Sequence, residues 1–372
     1  MREVAVIAGG QSAFGSFPQM SIKELFLAAY EDMLASIPNV EPPHLAGLIE
    51  AVYVGTLGCG GFQIGQSAPL LAKEAGLGDI PCVRVENACA SGGFALQQGI
   101  IAVASGLYDL VLVAGVEKMC DLSANKIRYW LGVSGDTEYE RLAGLTFAGI
   151  YALMANRYLY DYKVKREILS QVAVKNHENG SHNPKAQFLR KITLEQAVNA
   201  PMVADPLNIF DCSPITDGAA VVLLGTIELA RRFNTGFLKV AGFGAGSDAL
   251  AVFNRKSITS LEASVKAAQS AYAMAGIGPR DIDIAEVHDC FTIAELIAYE
   301  DLGFCPRGKA ALLLEKGETF RNGRLPVNAS GGLKSKGHPL GATGVGQVVE
   351  LLKQFYGKAE GKRQVPKELR YG

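Results

Sequence analysis

Short apolar runs alternate with helix-length amphipathic segments along the whole chain, and this alternation constrains the fold most strongly. The runs are continuously apolar, which is typical of strands buried on both faces of a sheet. The predicted strands are Val4–Ala8, Ala51–Gly55, Cys82–Val85, Leu110–Gly115, Ala219–Leu224, Phe237–Phe243, Ile282–Val287 and Leu325–Asn328. The predicted helices include Ile22–Ile37, Gly93–Gly106, Asn156–Lys165, Arg166–Asn179, Ser260–Gly276, Thr292–Leu302 and Gly344–Tyr356. The pattern predicts an α/β protein with helices covering its sheets.

Two segments near the N-terminus recur near the C-terminus in the same order and at nearly the same spacing. Ser21–Tyr30 is similar to Ser264–Ala273, and Asn87–Gly93 is similar to Asn328–Gly332. A duplicated half explains both matches, although short strings of Ala, Gly and Ser also match by chance.

The repeat divides the chain into three predicted parts. The two similar halves would be residues 1–116 and 240–372, with an insertion at 117–239. The insertion is richer in Tyr, Asn, Lys and Arg. It either covers an active site or forms an ordinary solvated helical subdomain.

Charge and cysteine content exclude several classes of protein. The 36 Lys and Arg residues nearly balance the 37 Asp and Glu residues, so no overall field attracts nucleic acid or an anionic membrane. No apolar run approaches the ~18 residues of a membrane span, and none at the N-terminus is long enough for a signal peptide. The 7 cysteines include no C-x-x-C pair. We therefore expect neither a disulfide framework nor an all-cysteine zinc site, and a reducing cytoplasm is the expected location.

Cys89 lies at a predicted turn between a strand ending near Val85 and a helix beginning near Ser91. The positive end of a helix lowers the pKa of a nearby thiol, and the thiolate is the reactive form. The small residues of 88–93 allow another backbone or a substrate to come close. These features predict a nucleophile, while a buried structural cysteine is the alternative.

His288 and Cys290 follow the predicted strand Ile282–Val287. Residues two apart on extended backbone point to the same side, so one can donate a hydrogen bond while the other moves a proton. A metal site is a competing interpretation, but no third ligand has suitable spacing nearby. A core histidine beside an inert cysteine is another.

His338 lies in the glycine-rich segment Asn328–Gly344. Gly accounts for 42 of the 372 residues, about 11% against a usual ~7%, and part of this excess falls here. The segment matches neither a Walker A motif nor a complete dinucleotide fingerprint. A histidine held among glycines and a proline suits a catalytic base. A solvated histidine in a flexible loop is the alternative.

Together these motifs resemble the thiolase superfamily over nearly the whole chain. Asn87–Gly93 is similar to the nucleophile motif, Asn328–Gly344 to the C-terminal glycine–histidine motif, and Asp211–Ala220 to the closing segment of the insertion. His288–Phe291 resembles the sterol-carrier-protein-type and archaeal thiolases, as does Val172–Pro184. The resemblance implies a duplicated, five-layered αβαβα fold with an inserted helical loop domain.

The resemblance also implies an activity, the reversible Claisen condensation of two acetyl-CoA to acetoacetyl-CoA and CoA. Cys89 would accept the acetyl group, with His338 assisting its deprotonation. Cys290 would act as acid and base towards the second acyl-CoA, and His288 would stabilise the enolate oxygen. A longer-chain 3-ketoacyl-CoA thiolase and a non-catalytic acyl-CoA-binding scaffold subunit are the alternatives.

The remaining expectations concern ligands and partners. The resemblance implies coenzyme A contacts at Gly246, Ser247 and Gly337, with the insertion holding the nucleotide end. It implies CoA thioesters as substrates, no separate cofactor and no metal. We expect a homodimer or dimer of dimers, and a complex with HMG-CoA synthase and an OB-fold/zinc-ribbon protein that would feed mevalonate synthesis. We expect no nucleic acid or membrane partner.

One departure from the family pattern lies at the C-terminus. Thiolases carry a final strand pair with a Gly-Gly-containing segment after the last helix, and residues 362–372 do not match it. Either the sequence is cut short, which is the expected explanation, or the protein lacks this strand pair.

Overall fold

The computed structural model describes residues 2–233 and 236–372 of the chain. The strands in these residues are β1 Val4–Gln11, β2 Ala51–Gly55, β3 Cys82–Val85, β4 Leu110–Glu117, β5 Met202–Ala204, β6 Leu207–Asn208, β7 Gly218–Thr226 and β8 Leu238–Lys239. The α-helices are α1 Ile22–Ala35, α2 Pro42–Leu48, α3 Ser67–Glu74, α4 Ser91–Ser105, α5 Ala124–Gly132, α6 Phe147–Tyr162, α7 Glu167–Gly180, α8 Leu194–Val198, α9 Ile227–Arg232, α10 Glu262–Ala275, α11 Thr292–Asp301, α12 Ala310–Glu315, α13 Gly332–Ser335 and α14 Leu340–Phe355. None of these helices combines the length and the apolar character that crossing a membrane requires.

The chain forms two compact units, and each is built from three separate segments. Unit 1 consists of Met1–Ser123, Ile215–Val240 and His338–Lys358, whereas unit 2 consists of Ala124–Pro214, Ala241–Gly337 and Ala359–Gly372. These units are defined by packing and not by sequence similarity, so the three-part division of the sequence stays a prediction.

Unit 1 is built on a mixed sheet of strand order β3-β2-β4-β7-β1-β8. Strands β2 and β3 pair in parallel, as do β2 and β4, while β7 is antiparallel to both β4 and β1. The apolar strand prediction is confirmed here, since β2 and β3 have the predicted bounds and β1, β4 and β7 extend the predicted ones.

Both faces of this sheet are covered. Along β4, Leu110, Leu112 and Ala114 belong to one apolar cluster with α1 and α3, whereas Val111 and Val113 belong to a second cluster with α4 and α14. Side chains alternate between the two faces of a strand, so a strand buried on both sides must be apolar at every position.

Unit 2 has a largely helical core. Its apolar cluster contains buried residues of α6, α7, α11 and α12, together with the extended residues near Val287 and Val327. The amphipathic helices predicted in the insertion and after Phe291 are therefore confirmed as core-forming elements.

Two predicted strands of the second half pair much less than expected. Ile282–Val287 and Leu325–Asn328 meet in a parallel bridge only at Ala285 and Val327 in the described chain. Pro326 has no amide hydrogen to donate, and the side chain of Asn328 takes the amide of Val287 that a neighbouring strand would otherwise bind. The ladder is therefore interrupted on both sides of the bridge.

The predicted strand Phe237–Phe243 is also shorter, since only Leu238–Lys239 joins the sheet. The following residues run against α10 instead. A Cβ atom on Gly242, Gly244 or Gly246 would lie within about 2.5 Å of a carbonyl oxygen of that helix. Glycine is required because only a backbone without side chains fits this close.

Candidate active site

Cys89 lies at a strained turn between β3 and α4. The preceding residue, Ala88, has φ +47°, which is unfavourable for a residue with a Cβ. The fully buried hydroxyl of Ser91 holds the turn, because it accepts from the amide of Asn87 at 2.9 Å and donates to the carbonyl of Ala88 at 2.6 Å. The predicted position of Cys89 at the start of a helix is confirmed.

Two helices approach each other through glycines beside this turn. A Cβ on Gly92 of α4 would lie 2.4 Å from the carbonyl oxygen of Gly341 in α14. A Cβ on Gly344 would lie 2.6 Å from the amide nitrogen of Gly93. The two helices can therefore meet only because these positions lack side chains.

This crossing brings together the residues that precede the two helices. Cys89 comes just before α4 and His338 just before α14. The Cys89 Sγ atom and a ring nitrogen of His338 lie within 4.8 Å of each other. The structure thus juxtaposes two residues that are far apart in the sequence and were each singled out by a motif.

His338 is buried and is held by hydrogen bonds at its amide and at one ring nitrogen. Its amide donates to Thr216 Oγ1 at 2.9 Å, and its Nδ1 atom lies 2.7 Å from Thr343 Oγ1. The Thr343 hydroxyl in turn donates to the carbonyl of Pro339 at 3.0 Å. The ring is therefore fixed from both the backbone and the side chain, unlike a histidine in a flexible loop.

Glu117 at the end of β4 is a buried residue that the sequence did not single out. Its carboxylate accepts from the amides of Leu57, Gly58 and Cys59 at 3.1, 3.0 and 2.8 Å, and from the amide of Gly341 at 3.1 Å. It therefore fixes the loop after β2 against the start of α14. The available signal was a carboxylate directly following an apolar strand.

The environment of Cys89 differs electrostatically from the sequence-based expectation. Burial and, to a smaller extent, the nearby Glu117 carboxylate raise the pKa of the Cys89 thiol to about 12. Desolvation and a nearby negative charge both disfavour the thiolate, and together they outweigh the effect of the helix end. The expectation of a lowered pKa is wrong for this structure, so deprotonation of Cys89 requires a base.

His288 and Cys290 lie in unit 2, on the segment before α11. The carbonyl of Cys290 accepts from the amide of Ser213 at 2.9 Å, and Phe291 forms an antiparallel bridge with Cys212. Cys290 is buried and His288 is half-buried. Burial lowers the pKa of His288 to about 4, so its ring is neutral at pH 7 and can donate a hydrogen bond without carrying charge.

Asp289, between these two residues, holds the segment in place through its buried carboxylate. Its carboxylate accepts from the amides of Leu333 and Lys334 at 2.7 and 3.2 Å and from Asn176 Nδ2 at 2.7 Å. Burial and the nearby Glu295 carboxylate raise the pKa of Asp289 above its usual value. The segment that carries His288 and Cys290 is thereby joined to α7 and α13.

A buried polar cluster surrounds this anchor and was also not predicted. Lys175 Nζ lies 2.8 Å from a Glu295 oxygen, and Glu295 accepts from Asn176 at 2.7 Å and Asn328 at 2.8 Å. Tyr299 donates to the same carboxylate. These side chains are fully buried. Polar residues on the inner face of the predicted helix Arg166–Asn179 were the available sequence signal.

The predicted coenzyme A contacts also fall in unit 2. Gly246 and Ser247 lie beside α10, where Ser247 is exposed and its carbonyl accepts from Lys266 Nζ at 3.5 Å. Gly337 has φ +116° and lies two residues after the end of α13. The structure gives the positions of these three residues, and their contact with coenzyme A stays a prediction.

Family models match both ends of the chain. The model for the thiolase N-terminal domain matches residues 4–228, and the thiolase C-terminal domain-like model matches residues 244–370. Together these matches span nearly the whole sequence.

Curated relatives are similar over almost their full length. An acetyl-CoA acetyltransferase of Methanothermobacter thermautotrophicus is 46% identical over 98% of this chain and 94% of its own. An acetyl-CoA acetyltransferase of Methanocaldococcus jannaschii is 44% identical over 100% of this chain and 95% of its own.

Solved structures agree with the fold. A structure described as an Ltp2-ChsH2(DUF35) aldolase matches with a TM-score of 0.82 and 26% identity, covering 99% of this chain and 92% of the other. Human mitochondrial 3-ketoacyl-CoA thiolase in complex with CoA matches with a TM-score of 0.74 and 18% identity, covering 96% and 93%. The second match shows similarity of fold alone.

Proposed function

The chain belongs to the thiolase family of acyltransferases, and we propose that it is an acetyl-CoA C-acetyltransferase. The reaction would join two acetyl-CoA molecules reversibly into acetoacetyl-CoA and CoA through an acetyl-Cys89 intermediate. The observation that carries the proposal is the approach of the Cys89 thiol to a His338 ring nitrogen within 4.8 Å. The two archaeal acetyl-CoA acetyltransferases, each over 40% identical, support acetyl-CoA as the substrate.

In the first half-reaction, His338 would take the proton of the Cys89 thiol. Because burial and Glu117 raise the thiol pKa to about 12, little thiolate forms at pH 7 without a base. The thiolate would attack the thioester carbonyl of acetyl-CoA, and CoA would leave as the thiol. The Cys89 amide at the start of α4 would donate to the carbonyl oxygen during the attack.

In the second half-reaction, Cys290 would remove the α-proton of another acetyl-CoA. The resulting enolate would attack acetyl-Cys89, releasing the free thiol and acetoacetyl-CoA. His288 would donate to the enolate oxygen. Its lowered pKa of about 4 suits this role, because a neutral imidazole polarises an oxygen without giving up its proton.

The first test is the intact mass of the protein after incubation with acetyl-CoA. We expect one added acetyl group in the wild type and none in Cys89→Ala. The matched control is Cys82→Ala, which removes another half-buried cysteine from the adjoining strand and should leave acetylation unchanged. An unmodified wild type would contradict the assignment of the nucleophile.

The second test separates the two cysteines of the proposed mechanism. Cys290→Ala should still become acetylated but should fail to form or cleave acetoacetyl-CoA, because it lacks the group that moves the α-proton. Normal turnover in this variant would remove Cys290 from the mechanism. The wild-type protein can also be assayed with acyl-CoA substrates of increasing chain length. Faster turnover of the longer substrates would indicate a longer-chain 3-ketoacyl-CoA thiolase. Lack of turnover with every substrate would favour a non-catalytic scaffold subunit.

We also propose that CoA thioesters are the only small molecules the reaction needs, and that Gly246, Ser247 and Gly337 contact coenzyme A. Dialysis against a chelator should leave the turnover rate unchanged. Ser247→Trp, at an exposed position on the Gly246–Ser247 segment, should raise KM for acetyl-CoA. An unchanged KM would place the coenzyme elsewhere.

The proposed partners are a second copy of the chain and, in the cytoplasm, HMG-CoA synthase with an OB-fold/zinc-ribbon protein, so that acetoacetyl-CoA would enter mevalonate synthesis. The structural neighbour described as an Ltp2-ChsH2(DUF35) aldolase supports assembly with a second kind of chain. Copurification from the native source, followed by mass spectrometry, tests this. Recovery of the chain without either partner would argue against the complex.

A further inference from the structure

We propose that Thr343 is a positioning residue that sets the ring tautomer of His338, so that Nε2 is the nitrogen that accepts the proton of Cys89. Only the role of this tautomer in the reaction, as acceptor of the Cys89 proton, rests on the proposed function. The tautomer itself follows from two hydrogen bonds, His338 Nδ1 to Thr343 Oγ1 at 2.7 Å and Thr343 Oγ1 to the Pro339 carbonyl at 3.0 Å.

The direction of these two bonds is determined by the carbonyl. A carbonyl oxygen only accepts, so the single hydroxyl hydrogen of Thr343 must point to Pro339. A threonine in a helix commonly donates in this way to the carbonyl four residues earlier. The Thr343 oxygen can then only accept from the ring, and His338 Nδ1 must carry the hydrogen.

A neutral imidazole carries one hydrogen, so Nδ1–H leaves a lone pair on Nε2. In the deprotonation step, the S–H bond of Cys89 breaks and its proton moves to Nε2, while the electron pair stays on sulfur. The imidazolium that forms keeps its Nδ1–H bond to Thr343, so no rearrangement accompanies the transfer. The opposite tautomer would present a hydrogen where the step needs an acceptor.

The first test reads the tautomer directly, without substrate. Two-bond ¹H–¹⁵N correlation spectra distinguish protonated from bare ring nitrogens, and with 5 histidines in the chain the His338 signals can be assigned from a His338→Gln sample. The wild type and Thr343→Ser should show hydrogen on Nδ1. Thr343→Val, which keeps the shape and removes the hydroxyl, should shift the ring towards the Nε2–H form.

Thr216→Val is the matched control, because Thr216 contacts only the backbone amide of His338 among the bonds described above. If Thr343 only held the segment in place, Thr343→Val and Thr216→Val would both lower stability and neither would change the tautomer. The tautomer signature should change in Thr343→Val alone. An Nδ1–H signal that persists in Thr343→Val would overturn the proposal. If valine is not accommodated at position 343, Thr343→Ala provides a second side chain without a hydroxyl.

The second test follows the reactivity of Cys89. Its alkylation by iodoacetamide, measured by mass spectrometry of the Cys89 peptide from pH 6 to 10, reports thiolate formation. Near pH 7 we expect Thr343→Val to react about tenfold more slowly than the wild type, since one buried ring nitrogen has lost its partner, and Thr343→Ser to react at nearly the wild-type rate. Equal pH profiles for valine and wild type would contradict the proposal. Because neither test uses acetyl-CoA, a wild type that fails to become acetylated would refute the proposed function and leave this result intact.

Discussion

At the scale of single residues, burial makes Cys89 dependent on its neighbours. A thiol with a pKa of about 12 is stable as the neutral form and reacts only when a base takes its proton. A low-pKa thiolate would instead react with any electrophile that reached it. In the proposed mechanism, the thiolate of Cys89 would form only when His338, whose ring nitrogen lies within 4.8 Å of the sulfur, is in place.

The motifs revealed some of these residues and missed others for a physical reason. Cys89 and His338 stand in segments rich in small residues, which mark places where backbone must approach something closely. Glu117 binds backbone amides of distant segments, whereas Thr343 contacts the ring of His338 five residues away, in the same glycine-rich segment. A single sequence can single out a carboxylate after an apolar strand, but it does not reveal which backbone amides that carboxylate meets once the chain has folded.

Buried histidines make the stability depend on pH, and His177 is the clearest case. Burial and, to a smaller extent, the nearby Lys334 cation lower the pKa of His177 from 6.5 to about 4. Between these values the unfolded chain binds a proton that the folded chain does not, so stability is full above pH 6.5 and falls as the pH drops towards 4. His288 adds a loss of the same sign.

His177→Phe removes the titrating imidazole but keeps an aromatic ring stacked on Phe188. The decrease in unfolding free energy from pH 7 to pH 5, measured by urea denaturation, should be about 2 kcal/mol smaller than in the wild type. Phe188→Leu weakens the same stack without removing a titrating group, and it should lower stability equally at both pH values. Parallel curves for wild type and His177→Phe would show that this histidine does not titrate as described.

At the scale of secondary-structure elements, the crossing of α4 and α14 is the feature that assembles Cys89 with His338. We predict that Gly92→Ala destabilises the protein by about 1–3 kcal/mol, the usual cost of overpacking, because its Cβ would lie 2.4 Å from a carbonyl oxygen. Acetylation of Cys89 should slow as the helices separate. Thermal unfolding and acetylation rates measure the two effects.

Gly93→Ala is the control on the same helix. A Cβ at Gly93 would meet nothing within 4 Å, so alanine should stabilise the helix by roughly 0.5–1 kcal/mol and leave the acetylation rate unchanged. If both variants behaved alike, helix propensity rather than the crossing would determine the effect of Gly92.

The buried ion pair between α7 and α11 makes a second prediction at this scale. Lys175→Met leaves the fully buried Glu295 carboxylate without its cation, and we expect a loss of about 3–5 kcal/mol. The pair formed by Lys191 and Glu178 has the same 2.8 Å separation but is exposed, so Lys191→Met should cost less than about 1 kcal/mol. Urea denaturation compares the two variants.

A double variant tests whether Lys175 acts through the charge. Lys175→Met combined with Glu295→Gln should be less destabilised than the sum of the single losses by at least about 1 kcal/mol. Strict additivity would mean that each side chain contributes by packing alone.

The strands illustrate how far local pattern predicts an element. Five predicted strands form in the sheet of unit 1, because each pairs with at least one neighbouring strand there: Val4–Ala8, Ala51–Gly55, Cys82–Val85, Leu110–Gly115 and Ala219–Leu224. In unit 2, the apolar pattern of Leu325–Asn328 is equally strong, but Pro326 and the left-handed Asn328, with φ +58°, interrupt the ladder. The hydrophobic pattern of a sequence predicts which residues are buried. Strand pairing also depends on backbone amides being available, and a single proline or a competing side chain can prevent that.

At the scale of the whole molecule, both units are discontinuous in sequence. The sheet of unit 1 comes from residues before 241, but one of the helices that cover it, α14, comes from the third segment, His338–Lys358. Val345, Val349 and Leu352 of that helix belong to the same apolar cluster as Val111 and Val113 of β4. The sequence repeat suggested halves at 1–116 and 240–372, and it contained no indication that a helix from the second half would complete this core.

The last prediction follows from this discontinuity. A chain ending at residue 240 retains all strands of the unit 1 sheet but lacks α14, so one sheet face would expose the apolar cluster to water. We expect it to aggregate or to show weak hydrogen-exchange protection in β4. Joining residues 338–358 to it through a flexible linker should restore protection, because the helix then supplies its missing side chains. Cooperative unfolding and full hydrogen-exchange protection in the shorter chain would show that the core of unit 1 does not need α14. The segment that carries His338 would then be positioned by unit 1 without stabilising that unit.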